Sequence, residues 1–291
     1  MSAPVALVVG HATLDHVGGR LLPGGSAYYA AHALAALGAE VRVLTAAGAD
    51  LPADVFRFPA AAPAGSIDAI ILPSQATTTF ENQYDPAGRR TQRVHAAARP
   101  LRPEDLPEGW READLLLLAS VLGELDPAAF ARAVRARATG LCIQGLVREV
   151  LPDGSVAPRR LEPTPEALGA IGVAVLGEDE AAGQPGLPEA LAAAVPLVAF
   201  TRGPRGCDLL RAGERTRHVG VHRTVEVDPT GAGDVFAAAL LLALSRGDDP
   251  VEAARLGAAA ASIVVEGRAG EMLSRVSEAP ARARTVPAFF D

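Results

Sequence analysis

The residues best placed to do chemistry lie in one stretch: Val227, Asp228, Pro229, Thr230, Gly231, Ala232, Gly233, Asp234, Val235 and Phe236. A β-prone run ends at Asp228, small residues follow, and an apolar helix begins near Val235. A helix start leaves amide N–H groups unpaired, and the helix dipole adds positive potential there. Gly231 and Gly233 let an anion come close to that backbone. A carboxylate beside such an anion hole has a chemical use. Asp234 would take the proton of an attacking hydroxyl while the amides of Gly231, Ala232 and Gly233 hold charge developing on a transferred phosphoryl group. The same residues admit a plainer role, an acid in the first turn of a helix after a tight glycine turn.

Composition narrows the chemistry. All 27 basic side chains are arginine, and the chain has no lysine. That excludes the P-loop GxxxxGK[ST] and any Schiff-base or lysine-base mechanism. Phosphate chemistry here must rest on backbone amides, arginine and metal. The net charge of −7 argues against broad binding of nucleic acid or anionic membrane. The longest apolar runs, such as 235–244, are shorter than a membrane span. Residues 1–10 pass straight into a strand-like run without a charged leader, so a cytoplasmic protein without a secretory signal is expected. Cys142 and Cys207 are too few for a disulfide scaffold and read as reduced core thiols. His218 and His222 could share a strand face, but no third ligand accompanies them.

These residues need a frame to position them. Short buried strands are expected over 5–10, 41–45, 115–120, 141–144, 173–176 and 197–201. Helices are expected over 26–37, 126–138, 178–182, 188–194, 235–245 and 251–265, with Asp126 capping the second and Gly38 closing the first. A hairpin joins 209–211 to 215–218, and a strand over 224–227 leads into the glycine turn. Alternating strands and helices imply a three-layer α/β/α fold with a mainly parallel central sheet, one domain over 1–291. Residues 11–22 and 77–96 are more polar and alternate, with a turn at 85–88. They predict a small antiparallel sheet off the main one, either a water-excluding lid or an edge extension. Residues 59–65 read as a loose loop. The stripe Ala253, Ala254, Gly257, Ala258, Ala261 predicts a helix packed closely on the sheet.

The string DPTGAGDVF resembles the C-terminal signature D-x-x-G-A-G-D-x-F of the PfkB, or ribokinase-like, carbohydrate kinases. Gly24 and Gly25 open the first long helix where that family binds its phosphoacceptor, and Asp15 sits where its early aspartate holds substrate hydroxyls. Thr201-Arg202-Gly203-Pro204-Arg205-Gly206 is similar to the family's T-x-G-x-x-G nucleotide motif, through Thr201, Gly203 and Gly206. Glu180 matches the acidic end of N-x-x-E, which influences Mg2+. The resemblance implies a ribokinase-like fold with a β lid, ATP as donor, and Asp234 as general base. It also implies a small polyol, sugar or nucleoside as acceptor. A monovalent cation such as K+ near Asp228 and Thr230, and a homodimer through the lid, are further implications.

Two positions depart from the pattern. Gly177 replaces the asparagine of N-x-x-E, and Tyr29 replaces the asparagine of GGxxxN, which reshapes the acceptor pocket. Gln144 and Arg148 in Gln144-Gly145-Leu146-Val147-Arg148, with Thr79-Phe80-Glu81-Asn82, are similar to the branch that includes myo-inositol kinases. A cyclitol acceptor is therefore favoured, with Tyr29, Gln144 and Arg148 beside it. Arg148 is either a phosphate- or acceptor-facing residue or a surface arginine. Arg202 and Arg205 either neutralise phosphate or are solvated loop residues. The alternative function is an idle ligand-binding or regulatory protein on the same fold. A Rossmann dehydrogenase is disfavoured, since no strand is followed by GxGxxG.

Overall fold

Strands that stay apolar at consecutive positions, such as 5–9 and 115–118, have no polar face to offer water and must be covered on both sides. The computed structural model, which describes residues 2–57, 66–84 and 90–290, shows how. Its strands are β1 (Val5–Val9), β2 (Thr13–Val17), β3 (Arg20–Gly24), β4 (Glu40–Ala47), β5 (Ile67–Pro73), β6 (Thr78–Tyr84), β7 (Arg90–Ala96), β8 (Glu112–Leu118), β9 (Arg135–Cys142), β10 (Arg148–Val150), β11 (Val156–Pro158), β12 (Val173–Gly177), β13 (Leu197–Thr201), β14 (Cys207–Leu210), β15 (Arg217–Val219) and β16 (Ala288–Phe290). The helices are α1 (Ser26–Ala36), α2 (Pro127–Ala133), α3 (Pro165–Leu168), α4 (Glu178–Ala181), α5 (Leu187–Ala194), α6 (Ala232–Ser245), α7 (Pro250–Val264) and α8 (Ala279–Ala283).

Ten strands form the central sheet in the order β16-β15-β14-β13-β12-β9-β8-β1-β4-β5. Pairing is parallel from β13 to β5 and antiparallel from β13 to β16. Side chains alternate across the pleat, so neighbouring residues feed different cores. Ala6, Val8, Leu115 and Leu117 pack with residues of α1, α6 and α7. Leu7, Val9, Leu116 and Leu118 pack on the other face with Phe130 of α2 and Leu187 and Leu191 of α5. The three layers expected from sequence are present. Cys142 and Cys207 are buried and free. Among the described residues, no helix is long and apolar enough to cross a membrane.

The polar segments form a separate four-stranded sheet, β3-β2-β6-β7. It is not wholly antiparallel, because β2 and β6 run parallel. Both strands rise from the same end of the parallel sheet, β2 after β1 and β6 after β5, and so point the same way. Phe80, Val94 and Val121 form a small core beneath it. The expected turn at 85–88 and loop at 59–65 lie outside the described residues.

Other expectations need correction. The helix begun at Asp126 stops at Ala133, and 135–142 is strand. Pairing with β8 decides this, since it sets Arg135 and Arg137 against Glu112 and Asp114. The strand expected at 141–144 therefore ends at Cys142, and residues 143–147 turn as a short 3-10 helix. Residues 224–227 form no strand. Val225 is 78% exposed, and the segment is strapped across the end of α7 by Val227 N–H to the Val265 carbonyl (2.7 Å) and Thr224 Oγ1 to Glu266 (2.6 Å). The alanine stripe of α7 meets chiefly α6, where a Cβ on Gly257 would lie 2.9 Å from the Phe236 ring, and α7 also packs on β14 and β15 of the sheet.

Candidate active site

The carboxyl ends of the parallel strands open onto a cavity of about 580 Å³, the end at which open α/β sheets bind ligands. Residues after β1 and in the lid supply Thr13, Asp15, Phe80, Asn82 and Gln92. The start of α1 gives Gly25, Ser26 and Tyr29, and residues from the end of β9 onward give Cys142, Gln144 and Arg148. Glu180, Thr201, Gly203 and 229–234 close the ring. Most residues singled out in the sequence thus converge here. Gly24, Gly206 and Asp228 do not line the cavity, and Gly206 lies on a second one of about 480 Å³. That cavity is mainly apolar, walled by Val221, Phe236, Ala258, Ala261 and Val265 with Thr201 and Gly203 on the shared edge.

Glycine is required where backbone and side chain meet closely. A Cβ on Gly24 would fall 2.2 Å from Asp15 Oδ2, so the missing side chain leaves room for that carboxylate. Gly231 holds φ at 81° before α6, and a Cβ there would lie 2.3 Å from Tyr29 Cδ1. Tyr29 is 2% exposed, and its ring backs the turn. Ala232 N–H donates to the Pro229 carbonyl at 3.1 Å. Among the described residues, the N–H groups of Gly231, Gly233 and Asp234 have no backbone partner. The open amides are therefore shifted from the expected set: Asp234 replaces Ala232.

Asp234 is half-buried and lines the cavity. Burial pushes its carboxyl up from 3.8 to about 6; Ser26 and Arg148 pull it down, while Glu180 and Asp15 push it up. Burial also drives the Tyr29 phenol upward, with Asp15 adding to it, so this ring stays neutral. The Cys142 thiol is raised by burial and by Asp234 and Glu180.

The remaining expected residues have defined partners. Thr13 Oγ1 donates to Asp15 (3.3 Å). Glu180 turns back to accept the Gly177 N–H, and its other oxygen meets Gln144 Nε2 at 3.5 Å. Arg148 is half-buried, with Nη1 3.5 Å from the Val121 carbonyl. Asp228 accepts from Thr230 N (2.9 Å), Thr230 Oγ1 (2.6 Å) and Ala269 N (3.3 Å), which pins the turn. Arg202 is half-buried, whereas Arg205 is an exposed loop residue. Arg202 pairs with Asp208 at 2.6 Å and lies over the Phe200 ring, while Arg205 pairs with Glu178. His218 pairs with Asp208 and His222 with Thr285. Among the described residues no group of three His, Cys, Asp or Glu could hold a metal. Sequence reasoning placed none of Ser26, Thr13, Cys142 or Gln92 in the site, reading Cys142 only as a core thiol. Gln92 bonds Asn82 across the lid at 3.0 Å, a pairing that the alternation around 77–94 could have located.

The pattern described as pfkB family carbohydrate kinase matches residues 17–272. Inositol 3-kinase from rice (Oryza sativa subsp. japonica) is 34% identical over 272 residues, spanning 86% of this chain and 66% of the rice protein. The chain thus spans just under two thirds of that relative's length. A sulfate complex of a pyrophosphate-dependent kinase in the ribokinase family superposes with a TM-score of 0.74 at 20% identity, covering 94% of this chain and 99% of that one. Ribokinase from Arabidopsis thaliana, complexed with ribose and ATP, gives 0.72 at 22% identity, covering 97% and 99%. These two likenesses establish a ribokinase fold. With a match that runs from the lid through the glycine turn to the loop beyond α7, the chain belongs to the pfkB family of carbohydrate kinases.

Proposed function

We propose that the chain is a cytoplasmic ATP-dependent kinase that phosphorylates a hydroxyl of a small polyol, sugar or nucleoside, with a cyclitol such as myo-inositol favoured. One observation carries this reading: a half-buried carboxyl, raised to about 6, sits among three open amides at the start of α6 and faces a ring of hydrogen-bonding side chains. Asp234 takes the proton of the acceptor hydroxyl as that oxygen attacks. The N–H groups at 231, 233 and 234 hold charge on the transferred phosphoryl group. Asp15, Asn82, Gln92, Gln144 and Arg148 orient the acceptor, and Tyr29 forms its apolar floor. Such a ring of donors and acceptors suits a molecule bearing hydroxyls on every side.

Among the described residues Glu180 has no cation partner, and it fits Mg2+ held through water, which would supply charge neutralisation at the donor phosphates. The carbonyls of Asp228 and Thr230 accept no hydrogen bond among the described residues and fit K+. Val17 and Leu21, 49% and 48% exposed on the lid, form the surface that a homodimer through the lid would cover.

Pyrophosphate is the competing donor, and the second cavity favours ATP. An apolar slot adjoining the main cavity fits a nucleotide base, and pyrophosphate has no group to fill it. Filling the slot with Ala261→Phe should raise KM for ATP at least 10-fold, against less than twofold for the acceptor. Steady-state kinetics with each substrate varied check this. On the acceptor side, Gly24→Ala places a methyl on the Asp15 carboxylate, and the acceptor KM should rise about 10-fold with the ATP KM unchanged.

Incubation with ATP, Mg2+ and an acceptor panel of cyclitols, sugars and nucleosides tests the whole reading through ADP release. The expected result is release stimulated most by a cyclitol. An acceptor that raises the melting temperature while none stimulates release would instead support an idle binding protein.

A further inference from the structure

Two helices begin at the cavity wall. α6 carries Asp234 in its first turn, and α1 opens at Ser26, because Gly25, at φ 86° and ψ 155°, swings the chain inward. A side chain at position 25 would meet the His11 carbonyl at 2.7 Å, so this entry to α1 is fixed. Ser26 lines the same cavity as Asp234 and is 1% exposed. Among the described residues its Oγ has no hydrogen-bond partner at ordinary geometry. A hydroxyl buried and unpaired destabilises a fold, and alanine would fill the same space without that penalty. The group that feels this hydroxyl is Asp234, whose carboxyl Ser26 holds below the value that burial alone would set. Catalytic hydrogen bonds are often long before substrate binds and tighten in the complex. The other groups acting on Asp234 are charged: Glu180 from α4, Asp15 from β2 and Arg148 from β10. Ser26 is the neutral donor among them.

We propose that Ser26 is a positioning residue for Asp234, its hydroxyl donating to one carboxylate oxygen so that the other is held toward the acceptor hydroxyl. This rests on Asp234 being the base. Without the bond the carboxylate rotates freely and is less often aligned for proton transfer, a loss in turnover rather than in binding.

The test measures kcat and both KM values with ATP·Mg2+ and myo-inositol, or the fastest acceptor of the panel. Ser26→Ala should lower kcat roughly 10–30-fold with both KM values within about twofold. Ser26→Thr, which keeps the hydroxyl, should recover to within about threefold of the parent. In an Asp234→Asn background, Ser26→Ala should cause no further loss, since groups acting as a unit are non-additive. Should the alanine variant fail to fold, Ser26→Cys, nearly isosteric and a weak donor, repeats the comparison. A Ser26→Ala enzyme that matches the parent overturns the proposal, as does an equal loss with and without Asp234; both leave Asp234 as base. An Asp234→Asn enzyme with parental turnover, or a parent idle on every acceptor, overturns the base assignment and this inference with it.

Discussion

Gly231→Ala should lower turnover at least 10²-fold and cost the fold about 2–4 kcal/mol. Two effects add at this position. The residue holds φ at 81°, a conformation that alanine adopts only with strain. Its Cβ would then lie 2.3–2.5 Å from three atoms of the Tyr29 ring. That ring is 2% exposed and has little room to retreat, so the turn must move instead. Moving it displaces the amides at 231, 233 and 234 together, and an oxyanion donor lost from a similar site costs about 10²–10³ in rate. Combining Gly231→Ala with Tyr29→Ala should destabilise less than the sum of the two single losses, because the clash is shared. Urea unfolding of the set, with kcat measured alongside, checks both parts. A Gly231→Ala enzyme with parental turnover contradicts the anion-hole assignment.

Asp234→Asn should have opposite effects on chemistry and stability. Asparagine cannot take a proton, so turnover should fall roughly 10²–10⁴-fold. The folded-state carboxyl lies near 6, above its ordinary value of 3.8, so the native state holds the proton more tightly than the unfolded chain. Stability therefore falls as pH rises from about 4 to 6, and above 6 the ionised group costs the fold about 2–3 kcal/mol. Asparagine removes that cost. Its melting temperature should exceed the parent's at pH 7.5, and the gap should close by pH 4. The same carboxyl sets the activity profile: the parent's kcat/KM should fall as pH drops through about 6, as Asp234 becomes protonated.

Local chemistry made the glycine turn legible in the sequence. Gly231, Gly233 and Asp234 signal themselves through backbone freedom and helix-start preference, which need no distant partner. The small β3-β2-β6-β7 sheet was legible through alternation along 77–94. Residues 224–227 were misread because Thr224, Val225 and Val227 favour strand locally, while their partners, Val265 and Glu266, lie about forty residues on. Residues 135–138 were misread because arginine–alanine alternation fits either period until β8 pairs with them. Ser26 escaped notice for a similar reason. Its place opposite Asp234 exists only once α1 and α6 meet at the cavity wall. Glu180 was found, but its reach back to the Gly177 N–H was not, since that depends on where the short α4 starts.

The most direct test of Asp234 as the base compares the parent with Asp234→Asn at pH 7.5. ATP·Mg2+ affinity is measured by calorimetry and phosphorylated acceptor by 31P NMR. The predicted result is equal ATP affinity within about threefold, with product formation reduced at least 10²-fold. Parental product formation by Asp234→Asn would contradict the account.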